Sequence, residues 1–354
     1  MRPWTLVEEG GAIPVIAGPC SAESEKQVML TADGLRAVGV SHFRAGLWKP
    51  RTHPGCFEGV GSQGLPWLCK VRDSYGMKVG TEVDGPAHVE ECLKVGLDFL
   101  WIGARTTSSP FLVQEIASAL KGVEDVPVLV KNPLSPDLGL WCGAVERLEG
   151  EGVGLVGLVH RGFTPVGQTA YRNDPMWKLA VEMRTRFPDI PFLADPSHIG
   201  GSARFLKDLS QRSLDLGFDG LIVESHCNPC EALSDSSQQV TPYELGRILG
   251  SLVLRSKTSD DETFNSRLEE LRLRIDSIDD SLLGLLAERM EVSDMIGKIK
   301  KEHAVAIVQT SRWENLLAGM VRKGEALGLD ASYIKEVFSA IHEASVAAQN
   351  KLFK

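Results

Sequence analysis

The 354-residue chain carries 47 acidic and 38 basic side chains, and its formal net charge of −9 argues against nucleic acid as a partner. No apolar run reaches the roughly 18 residues of a membrane span, and the N-terminal MRPWTLVEEGG lacks a signal-peptide core, so a cytoplasmic protein with no membrane partner is expected. Seven scattered cysteines, an odd number, point to reduced thiols rather than a disulfide framework.

From residue 13 to 256, short apolar runs alternate with longer amphipathic stretches. Strands are predicted at Ile13–Ala17, Ser41–Arg44, Lys78–Thr81, Asp98–Trp101, Pro127–Lys131, Gly154–Val159, Pro191–Ala194 and Asp219–Val223. Helices are predicted between them, among them Glu23–Val38, Pro86–Val95, Ser109–Leu120 and Arg204–Leu216, with a last one at Pro242–Arg255. Eight β/α repeats in about 245 residues match the size of a TIM barrel. An open doubly wound sheet also alternates strands and helices, but no Gly-rich dinucleotide fingerprint follows the first strand.

A barrel places its chemistry just past the C-terminal ends of its strands. The groups there are Cys20, then Lys49-Pro50-Arg51-Thr52, Glu82, Arg105, Lys131, His160-Arg161, Asp195 with His198, and Glu224 with Asp235 beyond it. Cys20, His198, Glu224 and Asp235 offer mixed sulfur, nitrogen and oxygen donors, a set that suits one divalent transition metal (Mn, Fe, Co or Zn) better than Mg or Ca. Arg44, Lys49, Arg51, Arg105, Lys131 and Arg161 put six cations on the same rim. So many like charges call for dense anionic substrates, and arginine forks match phosphate and carboxylate. The Cys227-Asn-Pro-Cys230 pair is a weak redox or zinc signal inside a loop already claimed by Glu224 and Asp235.

The segments GPCSAE, RAGLWKPRT, IGART, VHRGF, DPSHIGG and NP…ALSD, spread over about residues 3–256, resemble type I 3-deoxy-D-arabino-heptulosonate 7-phosphate (DAHP) synthase. The resemblance implies condensation of phosphoenolpyruvate with erythrose 4-phosphate, the first step of the shikimate pathway. It implies metal ligation by Cys20, His198, Glu224 and Asp235. Phosphoenolpyruvate falls to Arg44, Arg105, Lys131 and Arg161, and the aldose phosphate to Lys49, Pro50, Arg51 and Thr52. Lys131 and the surroundings of His198 are the candidates for proton movement, with the general acid unassigned. The sister 3-deoxy-D-manno-octulosonate 8-phosphate synthase, the remoter alternative, carries a Lys-Ala-Asn-Arg-Ser type segment in place of Lys49-Pro50-Arg51-Thr52. Three domain ranges follow: barrel 1–256, polar linker 257–263 and helical domain 264–354.

In that last range the period changes. Leu268, Leu271, Ile275, Ile278, Leu282, Leu285, Arg289, Val292, Ile296 and Ile299 form a heptad seam with one charge in it. Arg289 and Lys300 share a face roughly 16 Å apart, and Arg272 lies about 25 Å further along. One compact ligand reaches all three only if two helices run antiparallel, so a homodimer is expected. Shorter helices follow at Ser311–Lys323 and from Ala331 to near Leu352, the latter with Ser345 and Gln349 on one face.

The stretch LRLRIDSIDDSLLGLLAERMEVSDMIGKIK, within about 264–352, resembles the all-helical AroQ-type chorismate mutase. The resemblance implies a three-helix domain pairing as an intertwined antiparallel dimer. It makes Arg272, Arg289, Lys300, Arg312, Ser345 and Gln349 contacts to the chorismate dianion, with Lys300 and Gln349 donating to the ether oxygen. The chain departs from the family at Gln309, where an Asp is usual, and at Trp313, where a Glu usually meets the chorismate hydroxyl. Two readings of the domain follow: an active mutase that also mediates feedback inhibition by prephenate or chorismate, or a catalytically weak regulatory and dimerisation module.

Overall fold

The structure, a computed structural model, describes residues 13–49, 55–165, 167, 169–255 and 258–353. Pro50, Arg51 and Thr52 lie outside the described residues. The chain divides into two compact units, Met1–Lys257 and Thr258–Lys354.

In the first unit all eight predicted strands form, within about two residues of their expected ends: β1 (Val15–Gly18), β2 (His42–Arg44), β3 (Lys78–Val83), β4 (Phe99–Ile102), β5 (Val128–Lys131), β6 (Val156–His160), β7 (Phe192–Ala194) and β8 (Gly220–Glu224). They close in sequence order into a parallel barrel, with Val15 opposite Leu221 and Gly18 opposite Glu224 at the seam. Parallel strands covered on both faces are apolar on both, and alternate residues serve two different cores. Ala17, Phe43, Leu100, Val130, Leu158, Phe192 and Val223 join the large core under the helices. Their neighbours Ile16, Phe99, Trp101, Leu129, Val159, Leu193 and Ile222 form a separate cluster that fills the barrel axis.

The same alternation decides which polar groups enter the barrel mouth. Stepping two residues on from the axial layer gives Lys131 after Leu129, Arg161 after Val159, Asp195 after Leu193 and Glu224 after Ile222. Arg44 and Glu82 have the inward parity on β2 and β3, because Phe43, Val79 and Val83 face the helices. His160 has the opposite parity. The sequence put it on the rim, but it packs among Trp141, Phe163, Trp177 and Phe218 outside the barrel. Burial there lowers its pKa to about 4, so it stays neutral.

Side-chain caps fix several helix starts: Ser24 before Glu25–Ala37, Asp195 before Pro196–Gly200, and Thr241 before Pro242–Leu249. The last of these is shorter than the predicted 242–255. It stops before Gly250, and Gln211 then engages both the N–H and the carbonyl of Val253.

The second unit has three helices: Glu262–Glu302, Thr310–Ala326 and Ala331–Phe353. The first begins two residues before the expected 264, because the Asp261 side chain accepts from Thr263 N and Phe264 N. At 41 residues it is about 60 Å long, yet only Ser293 and Gly297 along it are buried. Seam residues Leu271, Ile275, Ile278, Leu282 and Leu285 are at least half exposed in the single chain. Gly297 lets the third helix approach closely, since a Cβ there would sit 2.9 Å from Gln349 Cγ. Among the described residues no helix is long and apolar enough to cross a membrane.

Gly18 ends β1 at φ 153°, where an added Cβ would lie 1.9 Å from the Arg44 carbonyl oxygen. That oxygen is backbone and cannot turn aside. Gly18→Ala is expected to cost more than about 1 kcal/mol, read as a lowered thermal unfolding midpoint.

Candidate functional site

Two carboxylates organise the barrel mouth. Asp195 is fully buried, and its Oδ2 accepts from Lys131 Nζ at 2.7 Å and faces His198 Nδ1 at 2.8 Å. Its Oδ1 caps the short helix through His198 N at 3.1 Å. Burial works against ionisation of Asp195, but His198 and Lys131 outweigh it and hold the pKa well below the usual range. His198 Nδ1 thus lies beside Asp195 without a well-formed hydrogen bond, and its Nε2 is 3.6 Å from Glu224 Oε1.

Glu224 is the second buried carboxylate. Its Oε2 accepts from Gln238 Nε2 at 2.7 Å, and its backbone N–H donates to Ser197 Oγ. Its Oε1 lies 3.2 Å from Arg44 NH2 yet accepts no well-formed hydrogen bond. Cys20 Sγ is 3.3 Å from Asp235 Oδ2, and the ligand atoms of Cys20, Glu224 and Asp235 all fall within 4.8 Å of one another. His198 adjoins this group through Glu224 but is not within that common radius of all three. Burial and then Glu224 push the Cys20 thiol up to about 12. A dry thiol between two carboxylates, beside a buried oxygen without a hydrogen bond, is a donor set that a divalent transition metal fits.

The cations surround these anions. Arg44 is buried with its guanidinium 4.9 Å from the Trp101 ring centroid, and its Nε and NH1 have no partner. Arg161 donates to Asn173 Oδ1 at 2.7 Å. Burial lowers its pKa to about 10 against the pull of Asp195, and the neighbouring Arg172 and Arg105 add to the lowering. Lys49 is partly buried. Burial opposes its charge, but Cys20, Glu82 and Glu224 prevail and raise its pKa. Arg105 is exposed at the start of the turn Ala104–Thr107. Sequence reading missed Arg172, which donates to Asp235 Oδ1 at 2.8 Å and to Gln238 Oε1 at 2.9 Å. It sits on the loop after β6, where no strand parity marks it. Asp235 itself adopts a left-handed backbone (φ 47°), so its carboxylate is aimed at some conformational cost.

Cys227 and Cys230 are free thiols, like the other five cysteines.

In the helical unit a cavity of about 220 Å³ brings together Arg289, Lys300, Arg312, Ser345 and Gln349, with Gln309 and Trp313 in its wall. Arg289 NH1 donates to Ser345 Oγ at 2.7 Å, and Lys300 Nζ to the Ile307 carbonyl at 2.5 Å. Gln349 Nε2 donates to both the carbonyl (3.1 Å) and the hydroxyl (3.0 Å) of Ser293. Trp313 stacks on His342, centroids 4.0 Å apart and 9° from parallel. Partial burial, with Arg289 beside it, lowers the His342 pKa. Arg272 is not in this cavity. It is exposed on the long helix beside Glu269, about 42 Å by helical rise from Lys300.

An eight-stranded parallel barrel with an ionised mouth, followed by a helical unit with a cationic cavity, defines a two-part enzyme architecture. A model of the DAHP synthetase I family matches residues 6–257, and one of chorismate mutase type II matches 271–350. The chain therefore belongs to the DAHP synthetase I family and carries a chorismate mutase type II domain after the barrel. It is 34% identical over 230 residues to a phospho-2-dehydro-3-deoxyheptonate aldolase of Thermotoga maritima, covering 65% of this chain and spanning 66% of the relative's length. A 2-dehydro-3-deoxyphosphooctonate aldolase of Wolinella succinogenes is 27% identical over 270 residues, covering 69% of this chain and 99% of the relative. A crystal structure of the Thermotoga maritima DAHP synthase superposes with a TM-score of 0.60 at 31% identity, covering 68% of each chain. A truncated form from the same organism gives 0.59 at 30% identity, covering 68% of this chain and 85% of the other.

Asp195 serves Lys131, His198 and a helix cap at once. Asp195→Asn is expected to lower unfolding free energy by about 3 kcal/mol, as when one partner of a buried ion pair is removed. Urea unfolding monitored by tryptophan fluorescence reads this.

Proposed function

We propose that the barrel condenses phosphoenolpyruvate with D-erythrose 4-phosphate to DAHP and phosphate, and that the helical domain rearranges chorismate to prephenate. The observation that carries the first part is the Cys20–Glu224–Asp235 group set inside a ring of arginines and lysines. Cys20, Glu224 and Asp235, with His198 beside them, would hold one divalent transition metal (Mn, Fe, Co or Zn), which supplies a Lewis acid for the aldehyde oxygen.

Arg44, Lys131 and Arg161 are pre-placed for the phosphate and carboxylate of phosphoenolpyruvate, with Arg105 at the outer edge. The two partnerless nitrogens of Arg44 and the crowding of Arg161 by other cations both favour an anion arriving there. Lys49, with Pro50, Arg51 and Thr52 beyond it, takes the aldose phosphate. C3 of the enol phosphate then attacks the aldehyde carbon, water adds at C2, and phosphate leaves by C–O cleavage. Lys131 Nζ, backed by Asp195 and His198, is the proton carrier nearest this chemistry.

A heptonate product needs a four-carbon aldose and an octonate product a five-carbon one. The octonate-forming relatives, at 26–29% identity, make the five-carbon aldose phosphate the second reading for the barrel. The higher identity to the heptonate enzyme supports the first.

For the helical domain, Arg289, Lys300 and Arg312 converge on one cavity and answer the two carboxylates of chorismate. Lys300 donates to the ether oxygen as the C–O bond breaks. The donation that Gln349 would add requires its carboxamide to turn. Positioning and electrostatics are all this rearrangement asks for. The exposed seam supports a homodimer that buries it and brings the partner's helix, with its Arg272 position, to the far end of the cavity. The stacked Trp313 and His342, where the family has a carboxylate, favour a second reading in which the domain binds prephenate or chorismate to inhibit the barrel and turns over slowly. We place the domain limits at 1–256 and 264–354 around a 257–263 segment whose last two residues already start the long helix, and the protein in the cytoplasm.

Phosphoenolpyruvate consumption should require erythrose 4-phosphate, fall to background after dialysis against chelator, and return with Mn or Zn. Cys20→Ala should not recover. Full activity in chelator, or faster turnover with a five-carbon aldose phosphate, overturns the assignment. A chain ending at residue 256 should lose chorismate consumption, dimerisation and inhibition by prephenate. Unchanged prephenate sensitivity in that truncated barrel would remove the feedback role.

A further inference from the structure

Of the four groups assigned to the metal, Asp235 has the least support from the barrel itself. Cys20 follows β1 with its backbone N–H bonded to Gln239 Oε1 at 3.0 Å, Glu224 closes β8, and His198 lies on the short helix that Asp195 caps. Asp235 stands on the loop beyond β8 with a left-handed backbone, φ 47°. It precedes a short 3-10 turn without capping it, so no regular element aims its carboxylate.

Arg172 supplies the aim. Its NH1 donates to Asp235 Oδ1 at 2.8 Å, which leaves Oδ2 beside Cys20 Sγ at 3.3 Å. The same nitrogen donates to Gln238 Oε1 at 2.9 Å, and Gln238 Nε2 donates to Glu224 Oε2 at 2.7 Å. A carboxylate oxygen without a proton only accepts, so the Gln238 amide has one orientation and presents its oxygen to Arg172. One guanidinium therefore holds two of the ligands, the first directly and the second through an amide.

Arg172 is itself held against the helix that carries His198. Its backbone N–H donates to Gly200 O at 3.3 Å, and that of Asn173 to Ile199 O at 3.1 Å. The Asn173 side chain donates to His198 O at 2.6 Å. Gly201, at φ 64°, allows this approach, since a Cβ there would lie 2.3 Å from Arg172 Cβ.

Two effects of Arg172 on a metal oppose each other. A cation beside a ligand carboxylate repels an incoming divalent ion. A carboxylate already aimed spares the cost of ordering it when the ion binds. The Arg172 side chain is 48% exposed, so water and salt weaken the repulsion. They do not weaken the ordering, which therefore prevails.

We propose that Arg172 is a positioning residue for the metal site, aiming Asp235 directly and Glu224 through Gln238 before the metal arrives. The proposal rests on the metal reading of the Cys20–Glu224–Asp235 group.

The test titrates cobalt(II) into the metal-free full-length chain. Binding is read by the thiolate-to-cobalt absorption of Cys20 and by competition with a chromophoric chelator. Arg172→Met is expected to weaken cobalt binding about tenfold to a hundredfold, as loss of a group that orients a ligand does. Arg172→Lys keeps a charge and donors at this position and should lose less. Repulsion alone predicts the reverse order, with Arg172→Met tighter than wild type. A merely structural role would lower the unfolding midpoint of the metal-free chain and leave the cobalt affinity of the folded protein unmoved. Unchanged or tighter cobalt binding by folded Arg172→Met, or weaker binding by Arg172→Lys than by Arg172→Met, overturns the proposal and leaves the metal reading standing. A wild-type chain that takes up no cobalt overturns the metal reading and the proposal with it. Should Arg172→Met not fold, Arg172→Gln replaces it under the same criterion.

Discussion

The barrel mouth depends on the pairing of two buried carboxylates, Asp195 and Glu224, with cations that could not otherwise coexist there. Arg44, Lys49, Lys131, Arg161 and Arg172 crowd a small volume, and the depressed pKa of Arg161 registers both its burial and the pressure of its neighbours. Strand parity makes the crowding unavoidable. Once Leu129, Val159, Leu193 and Ile222 fill the axis, the next inward positions on their strands meet over that apolar floor. Acid and base side chains there are dry and close, so each sets the charge of the others. Asp195 does most of this work because it reaches Lys131, the His198 ring and a helix N-terminus together. Its Oδ2 faces one ring nitrogen of His198, and the other ring nitrogen lies on the Glu224 side.

The helical unit is stabilised differently. Most of its first helix buries almost nothing within the chain, and its apolar seam is open. Isolated helices gain most of their stability from packing an apolar face, and here roughly 60 Å of helix leaves its seam exposed within the chain. Arg289 interrupts the heptads where the third helix brings Ser345 against it, so its guanidinium has a partner before any ligand arrives.

Much of this was legible in the sequence. Short apolar runs between amphipathic ones gave eight strands in order, because a strand covered on both faces needs no polar alternation to identify it. The polar residues just past those runs named the mouth. Alternation misled only where a strand end offered two polar neighbours. His160 and Arg161 are adjacent, and one turns outward into aromatic rings while the other turns inward. Arg172 escaped because it stands on a long loop, where neither period nor parity assigns a direction. The orientation of Gln349 was beyond reach for another reason. It depends on a serine 56 residues away whose importance appears only when two helices pack. Lys49 is partly buried near the end of β2, whereas Pro50, Arg51 and Thr52 lie outside the described residues.

The two sites meet a shared requirement, the binding of multiply charged anions, by opposite electrostatic means. In the barrel the resident cations are countered by buried carboxylates, Arg44 by Glu224 and Lys131 by Asp195. In the helical cavity the cations are held by neutral groups: Arg289 by a hydroxyl, Lys300 by a backbone carbonyl. Those partners fix geometry without cancelling charge. The cavity therefore keeps an unneutralised positive field, which attracts a dianion and gives an ammonium-bearing ligand no counter-charge in the described wall. Gln309 and Trp313 stand in that wall, which among the described residues contains no carboxylate side chain.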